Sequence, residues 1–268
     1  MLLCIDIGNT NTVLATFDGD AIVHSWRVKT DARSTADELG LLYCGLLEGT
    51  GPGGRGPGAA AITGVAACST VPAALRSLRT MLARYFGHVR SVIVEPGIRT
   101  GVQLAIDNPK EVGADRVVNT LAAYTLYGGP SIVVDFGTTT NFDVISARGE
   151  FLGGAFAPGI EISFDALADR AAQLRKVEAA KPRSVIGKNT VECLQSGMYF
   201  GFAGQVDRIV ERMIQEIGDV RAVIATGGLA PIVIDECRTI THHEPMITLI
   251  GLRLVYERNV TAADSVRR

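Results

Sequence analysis

The 268-residue sequence predicts an α/β protein in which one β-β-β-α-β-α-β order is written twice. Three observations predict it. A short signature occurs in two copies, IDIGNTNT at residues 5–12 and VDFGTTTN at residues 134–141, each closing one apolar run and opening another. Strand and helix periodicities then follow both copies in the same order. Finally, 47% hydrophobic and 20% charged residues supply apolar material for two similar-sized cores.

Each signature reads as a β-hairpin: Leu2, Leu3, Cys4 and Ile5 precede the first turn, and Ser131, Ile132, Val133 and Val134 precede the second. A third strand is expected at 21–30. Residues 35–48 have helical spacing, with Leu39, Leu42, Leu46 and Leu47 on one face and Thr35 as cap. The glycine- and proline-rich stretch 49–58 (GTGPGGRGPG) reads as a flexible surface loop without regular pairing. A strand at 60–69, a helix at 71–86 and a strand at 91–95 complete the first half. A helix at 112–127, with Val117, Val118, Leu121, Ala122 and Leu126 at helical spacing, marks the boundary between 1–118 and 119–268. The second half has strands at 131–135, 142–147 and 150–154, helices at 161–174 and 190–217, a strand at 222–226, and helices at 229–235 and 248–258.

A formal charge of −2 lacks the basic field of a nucleic-acid binder. The N-terminus has no basic region before its short apolar run, and no segment offers about 18 uninterrupted apolar residues. A cytoplasmic protein without nucleic-acid or membrane partners is expected. Cys4, Cys44, Cys68, Cys193 and Cys237 lack metal-site spacing and read as reduced core residues, and adjacent His242 and His243 read as surface residues.

The two signatures carry the chemistry. Gly8 and Gly137 let backbone N–H groups approach an anion, the hydroxyls of Thr10, Thr12, Thr138, Thr139 and Thr140 are donors for phosphate oxygens, and Asp6 and Asp135 face cations. Ordinary hairpin turns use the same residue types, so it is the matched pair that points to two lobes around one nucleotide. GADR at 113–116 adds a carboxylate, Asp115, able to accept a hydroxyl proton, beside Arg116, whose planar fork suits an anionic substrate. Helix capping with a salt bridge is the alternative use of that pair.

The duplicated order with paired D-x-G loops resembles the acetate and sugar kinase, Hsp70 and actin superfamily, which binds ATP in a cleft between two ribonuclease-H-like lobes. DNPKEVGADR (107–116), GGAFAPG (153–159), GKNTVECLQSG (187–197) and ATGGLA (225–230), together with DIGNTNT, resemble type III pantothenate kinases essentially end to end. The resemblance implies ATP-dependent phosphorylation of pantothenate, with Asp115 as base and Gly113, Ala114, Asp115, Arg116 and Thr190 contacting pantothenate. It places ATP on Asp6, Ile7, Gly8, Asn9, Thr10, Asn11, Thr12, Val13 and Thr138, requires Mg2+, puts a monovalent cation (K+ or NH4+) on Asp135, and implies a homodimer. GGAFAPG reads as architectural; ATGGLA falls where this superfamily meets the adenosine, and Gly227 and Gly228 serve either the approach of a flat base or ribose or a strand-to-helix turn. The second loop departs from the family's D-F-G-T-A-T-T-x-D by Thr139 and Asn141, which puts its geometry in question. A regulatory nucleotide-binding protein and an actin-like filament module are the competing readings.

Overall fold

The computed structural model describes residues 1–51, 54–170 and 177–266. Its strands are β1 (Leu2–Ile7), β2 (Asn11–Asp18), β3 (Ala21–Lys29), β4 (Thr50–Gly51), β5 (Gly54–Arg55), β6 (Gly64–Ser69), β7 (Arg90–Ile93), β8 (Ser131–Phe136), β9 (Thr139–Ile145), β10 (Phe151–Pro158), β11 (Ala222–Thr226) and β12 (His242–His243). The helices are α1 (Ala36–Glu48), α2 (Pro72–Tyr85), α3 (Ala114–Tyr127), α4 (Ile160–Arg170), α5 (Thr190–Ile217), α6 (Ala230–Val233) and α7 (Ile247–Val266).

Two five-stranded sheets repeat one topology, β3-β2-β1-β6-β7 and β10-β9-β8-β11-β12. In each, short turns join the first three strands antiparallel, and helical crossovers bring the last two in parallel. The halves differ in those crossovers: α1 alone leads from β3 to β6, whereas α4 and α5 both precede β11, and the closing strand β12 is only two residues long.

Alternation along the strands gives each sheet two chemically different faces. In the first, Leu3, Ile5, Ile7, Leu14, Val65 and Ala67 pack with Tyr43 and Leu47 of α1 and with Leu78, Met81 and Leu82 of α2. The other face carries Cys4, Asp6, Ala15, Phe17, Ala66 and Cys68, and α7 lies over part of it: Tyr256 packs on Gly64, and the Arg253 guanidinium sits 5.9 Å from the Phe17 ring centroid. Arg253 also donates to Asp20 (2.6 Å) and Glu257 (2.7 Å). In the second sheet, Ile132, Val134, Phe136, Phe142, Val223 and Ala225 pack against α4, α5 and α6, leaving Asp135 on the opposite face.

By packing, the chain forms two compact units that are interleaved along the sequence. One comprises Met1–Gly101, Lys110–Ala122 and the stretch from Thr248; the other comprises Val102–Pro109 and Ala123–Ile247. The expected division at 118/119 falls inside α3, whose residues are shared out at 122/123. α7 therefore packs in the unit that contains the chain's first strand.

Local chemistry explains most element limits. Thr35 caps α1 in a capping box, its hydroxyl accepting from the Glu38 N–H (3.3 Å) while Glu38 accepts from the Thr35 N–H (2.7 Å). The buried stripe of α1 is Leu39, Tyr43 and Leu47, four residues apart, so the expected Leu42 is exposed instead. In α3, Leu126 is likewise exposed, and Ala123 takes its place in the buried face. Of the glycine-rich stretch, residues 52 and 53 lie outside the described residues; in the rest, pairing expected to be lacking is found, Thr50 with Arg55 and Gly51 with Gly54, and Gly56 lies so close to the Leu47 carbonyl that no side chain fits. Residues 171–174 of the predicted helix lie outside the described residues.

All five cysteines are free, yet only Cys4, Cys68 and Cys237 are buried; Cys193 is exposed in the first turn of α5, correcting its core assignment. His242 and His243 are both exposed, with the His242 ring against Tyr127. Among the described residues no cluster of three or more His, Cys, Asp or Glu can hold a metal, and no helix is long and apolar enough to cross a membrane.

Candidate active site

The first loop joins β1 to β2. The Gly8 N–H donates to the Asn11 carbonyl (3.0 Å) and the Thr30 N–H donates to the Thr10 carbonyl (3.0 Å), which fixes the turn and leaves Asn9 and Thr10 exposed at its tip. Gly8, Asn11 and Val13 are half-buried, and Ile7 belongs to the core. Thr12 points the other way from the loop tip: it is buried, and its hydroxyl is shared with the Thr30 hydroxyl (2.9 Å) and with Tyr43. Its hydroxyl therefore leaves the expected set of phosphate donors.

Asp6, at the end of β1, is half-buried and accepts a hydrogen bond from the Cys68 thiol (3.2 Å). Burial first, and the charge of Asp115 second, push its carboxyl up to about 7, while the Cys68 hydrogen bond and the Arg27 charge pull downward. Asp115 stands in the first turn of α3 in the same compact unit. Burial raises its carboxyl above the usual range; the N–H groups of Arg116 and of Asp115 itself, and the Arg116 charge, act against that rise.

GADR opens α3 on a glycine whose missing side chain leaves the Asp115 carboxylate its place. The Gly113 carbonyl accepts from the Arg116 N–H (3.1 Å) and the Val117 N–H (3.3 Å), and a side chain at 113 would strike the Asp115 carboxylate. Ala114, Asp115 and Arg116 are all half-buried. Two carboxyls held above their usual range, that of Asp6 by burial and by the Asp115 charge and that of Asp115 by burial, are groups suited to accepting a proton.

The second loop joins β8 to β9. The Gly137 N–H donates to the Thr139 carbonyl (3.0 Å), and Thr138 is exposed at the tip. Thr140 is fully buried, and the Thr139 hydroxyl donates to Asn141 Oδ1 (2.6 Å). The two departures from the family pattern are thus bonded to each other. The loop rests on Gly159, whose N–H donates to the Thr138 carbonyl (3.1 Å) and which leaves no room for a side chain, giving GGAFAPG its architectural part. Gly227, with φ of 90°, lies against Asp135 Oδ1 and the Phe136 carbonyl, a cradle of two oxygens that a Cβ would fill.

Thr190 is exposed as the first residue of α5, but Asn189 caps that helix, accepting from the Glu192 N–H (3.0 Å). The N-cap of α5 is thus Asn189, and the Thr190 side chain is not its cap. Sequence reading missed two residues beside Asp6: Cys68, counted with the core, and Arg27, not singled out. Both become visible only when strand register is known.

A profile of the family described as type III pantothenate kinase matches residues 2–212. The chain is 83% identical over 260 residues to the "Type III pantothenate kinase" of Salinispora arenicola (strain CNS-205), covering 97% of this chain and 100% of that protein. It is 67% identical over 260 residues to the protein of that name from Acidothermus cellulolyticus, covering 97% and 99%. Among solved structures, a putative Baf family transcriptional activator from Campylobacter jejuni matches with a TM-score of 0.59 at 17% identity, covering 97% of this chain and 99% of that one. The activator of the 2-hydroxyisocaproyl-CoA dehydratase from Clostridium difficile, with bound ADPNP, matches at 0.57 and 13%, covering 98% and 97%. These last two share the fold.

Proposed function

The chain belongs to the type III pantothenate kinase family, ATP-dependent kinases that make 4′-phosphopantothenate for coenzyme A, and from that premise we propose a division of labor in which Asp115 is the base. The observation that carries the proposal is the pair Asp6 and Asp115, held in one compact unit with each carboxyl raised above its usual range. Asp115 takes the proton of the primary alcohol as its oxygen bonds to the terminal phosphorus and the bond to ADP breaks. Arg116 pairs with the pantothenate carboxylate, aided by Gly113, Ala114 and Thr190. Asn9 and Thr10 donate to the polyphosphate, Asp6 to Val13 form its loop, and Thr138 meets ATP from the second loop.

The electrostatic deficit at Asp6 fits a magnesium ion carried in with ATP, because magnesium commonly binds one or two carboxylates together with substrate phosphates. Asp135, with the Phe136 carbonyl beside it, supplies oxygen donors of the kind that suit K+ or NH4+. When bound, these ions neutralize phosphate charge. We also read the protein as a cytoplasmic homodimer; exposed apolar side chains such as Leu152, Phe156 and Ile162 support the dimer, which light scattering tests. The test of the function is ADP release with and without pantothenate. Release that depends on pantothenate supports the kinase, and nucleotide binding without release supports the regulatory alternative.

A further inference from the structure

Register puts four side chains of the first sheet in one row. Asp6 stands opposite Cys68 on one side and Val13 on the other, and Val13 stands opposite Arg27 of β3. Side chains directly opposite one another share a face, so Arg27 projects on the Asp6 face, away from α1 and α2. Its charge acts on Asp6, the carboxylate that Asp115 also influences. Arg27 is nevertheless exposed, and among the described residues its guanidinium makes no hydrogen bond or ion pair. Between it and Asp6 stands only Val13, an apolar side chain that satisfies neither charge.

What sets Arg27 apart is its place in the row of Asp6. Arg253 of α7, by contrast, is held by two carboxylates, Asp20 and Glu257. Arg27 keeps its donors available two strands from the carboxylate at the phosphate loop, with β2 between them. Two strand spacings of about 4.8 Å separate Arg27 from Asp6, a span that an extended arginine side chain bridges in large part. A planar fork of donors at such a point matches the oxygens of a phosphate group.

We infer that Arg27 is a phosphate-binding residue of this kinase, contacting the β- or γ-phosphate of the nucleotide on the first loop. The inference rests on reading residues 6–13 as the phosphate loop. It gives the site a cation from the protein itself, set apart from Arg116, which serves the other substrate.

The test compares wild type with Arg27→Gln and Arg27→Lys by titration calorimetry with ATP, ADP and AMP in magnesium buffer, alongside kinetics and thermal melting. Arg27→Gln should weaken ATP and ADP binding by about 10- to 100-fold, the range for a hydrogen bond to a charged group, and leave AMP binding unchanged. Arg27→Lys should recover part of the loss, and all three proteins should melt alike. Unchanged ATP and ADP binding in Arg27→Gln overturns the inference. So does an equal loss for ATP and AMP, which reports a structural role. A wild type that binds no ATP instead overturns the reading of the first loop itself.

Discussion

The two sheets place corresponding rows at their loops, and the rows differ. The first reads Cys68, Asp6, Val13, Arg27; the second reads Thr226, Asp135, Asn141, Phe156. Topology and the central aspartate repeat, while every neighbor changes. The first row sets its carboxylate among a thiol donor, an arginine and a second carboxylate, and each of the three shifts its proton affinity. The second is polar beside its aspartate and ends in an exposed phenylalanine. Duplication thus preserved the scaffold that presents a carboxylate, and the work of each copy resides in the side chains beside it.

The largest effect expected is in the first row's partner. Asp115→Asn should lower kcat by about 10²-fold or more with a melting temperature no lower than that of wild type, since the amide keeps the shape but cannot take the proton. Wild-type turnover in a folded Asp115→Asn protein, at saturating substrates, would remove Asp115 as base. Arg116→Lys should raise the pantothenate KM about tenfold and leave the ATP dependence alone, because an ammonium cannot make the two-pronged contact. A defect on the ATP side would reassign it.

Asp135→Ala tests whether the second row handles a cation. Potassium should outperform sodium several-fold in wild type, at fixed ionic strength, and the variant should lose that preference together with ATP affinity. Equal wild-type rates in the two salts would return Asp135 to turn capping.

A smaller effect concerns stability. Folded Asp6 holds its proton up to about 7, whereas an unfolded aspartate releases it near 3.8, so between those values the folded state binds more protons. Stability of the ligand-free protein is therefore lost as pH rises through that window. Asp6→Asn should melt close to wild type at pH 4 and several degrees higher at pH 8, while losing activity. A variant that melts lower at pH 8 would contradict the electrostatic account. Smallest of all, Thr139→Ala breaks only an exposed hydrogen bond and should change stability by about 0.5 kcal/mol or less in denaturant titrations, with near-normal turnover.

The duplicated hairpins, the Thr35 cap and the helices around GADR were legible because each depends on short-range signals: glycine turns, capping hydroxyls and apolar spacing. The rows were not. Cys68 lies 62 residues from Asp6, and Arg27 reaches the same face only through two successive pairings. A one-residue slip in either pairing would send Arg27 to the opposite face. For the same reason the burial of Thr12 escaped notice: its position in the motif suggests a donor, and only register turns its hydroxyl toward Thr30 and Tyr43.

The return of α7 to the sheet begun by β1 constrains synthesis on the ribosome. The strands and the α1–α2 side of that sheet emerge early, but the surface bearing Cys4, Phe17 and Gly64 lacks its cover until the final helix leaves the exit tunnel. For most of translation the nascent chain therefore displays an unfinished apolar surface, the kind of surface that holding chaperones bind. A stop codon placed just before Thr248 would leave all five strands of that sheet in place and the face bearing Cys4, Phe17 and Gly64 permanently uncovered.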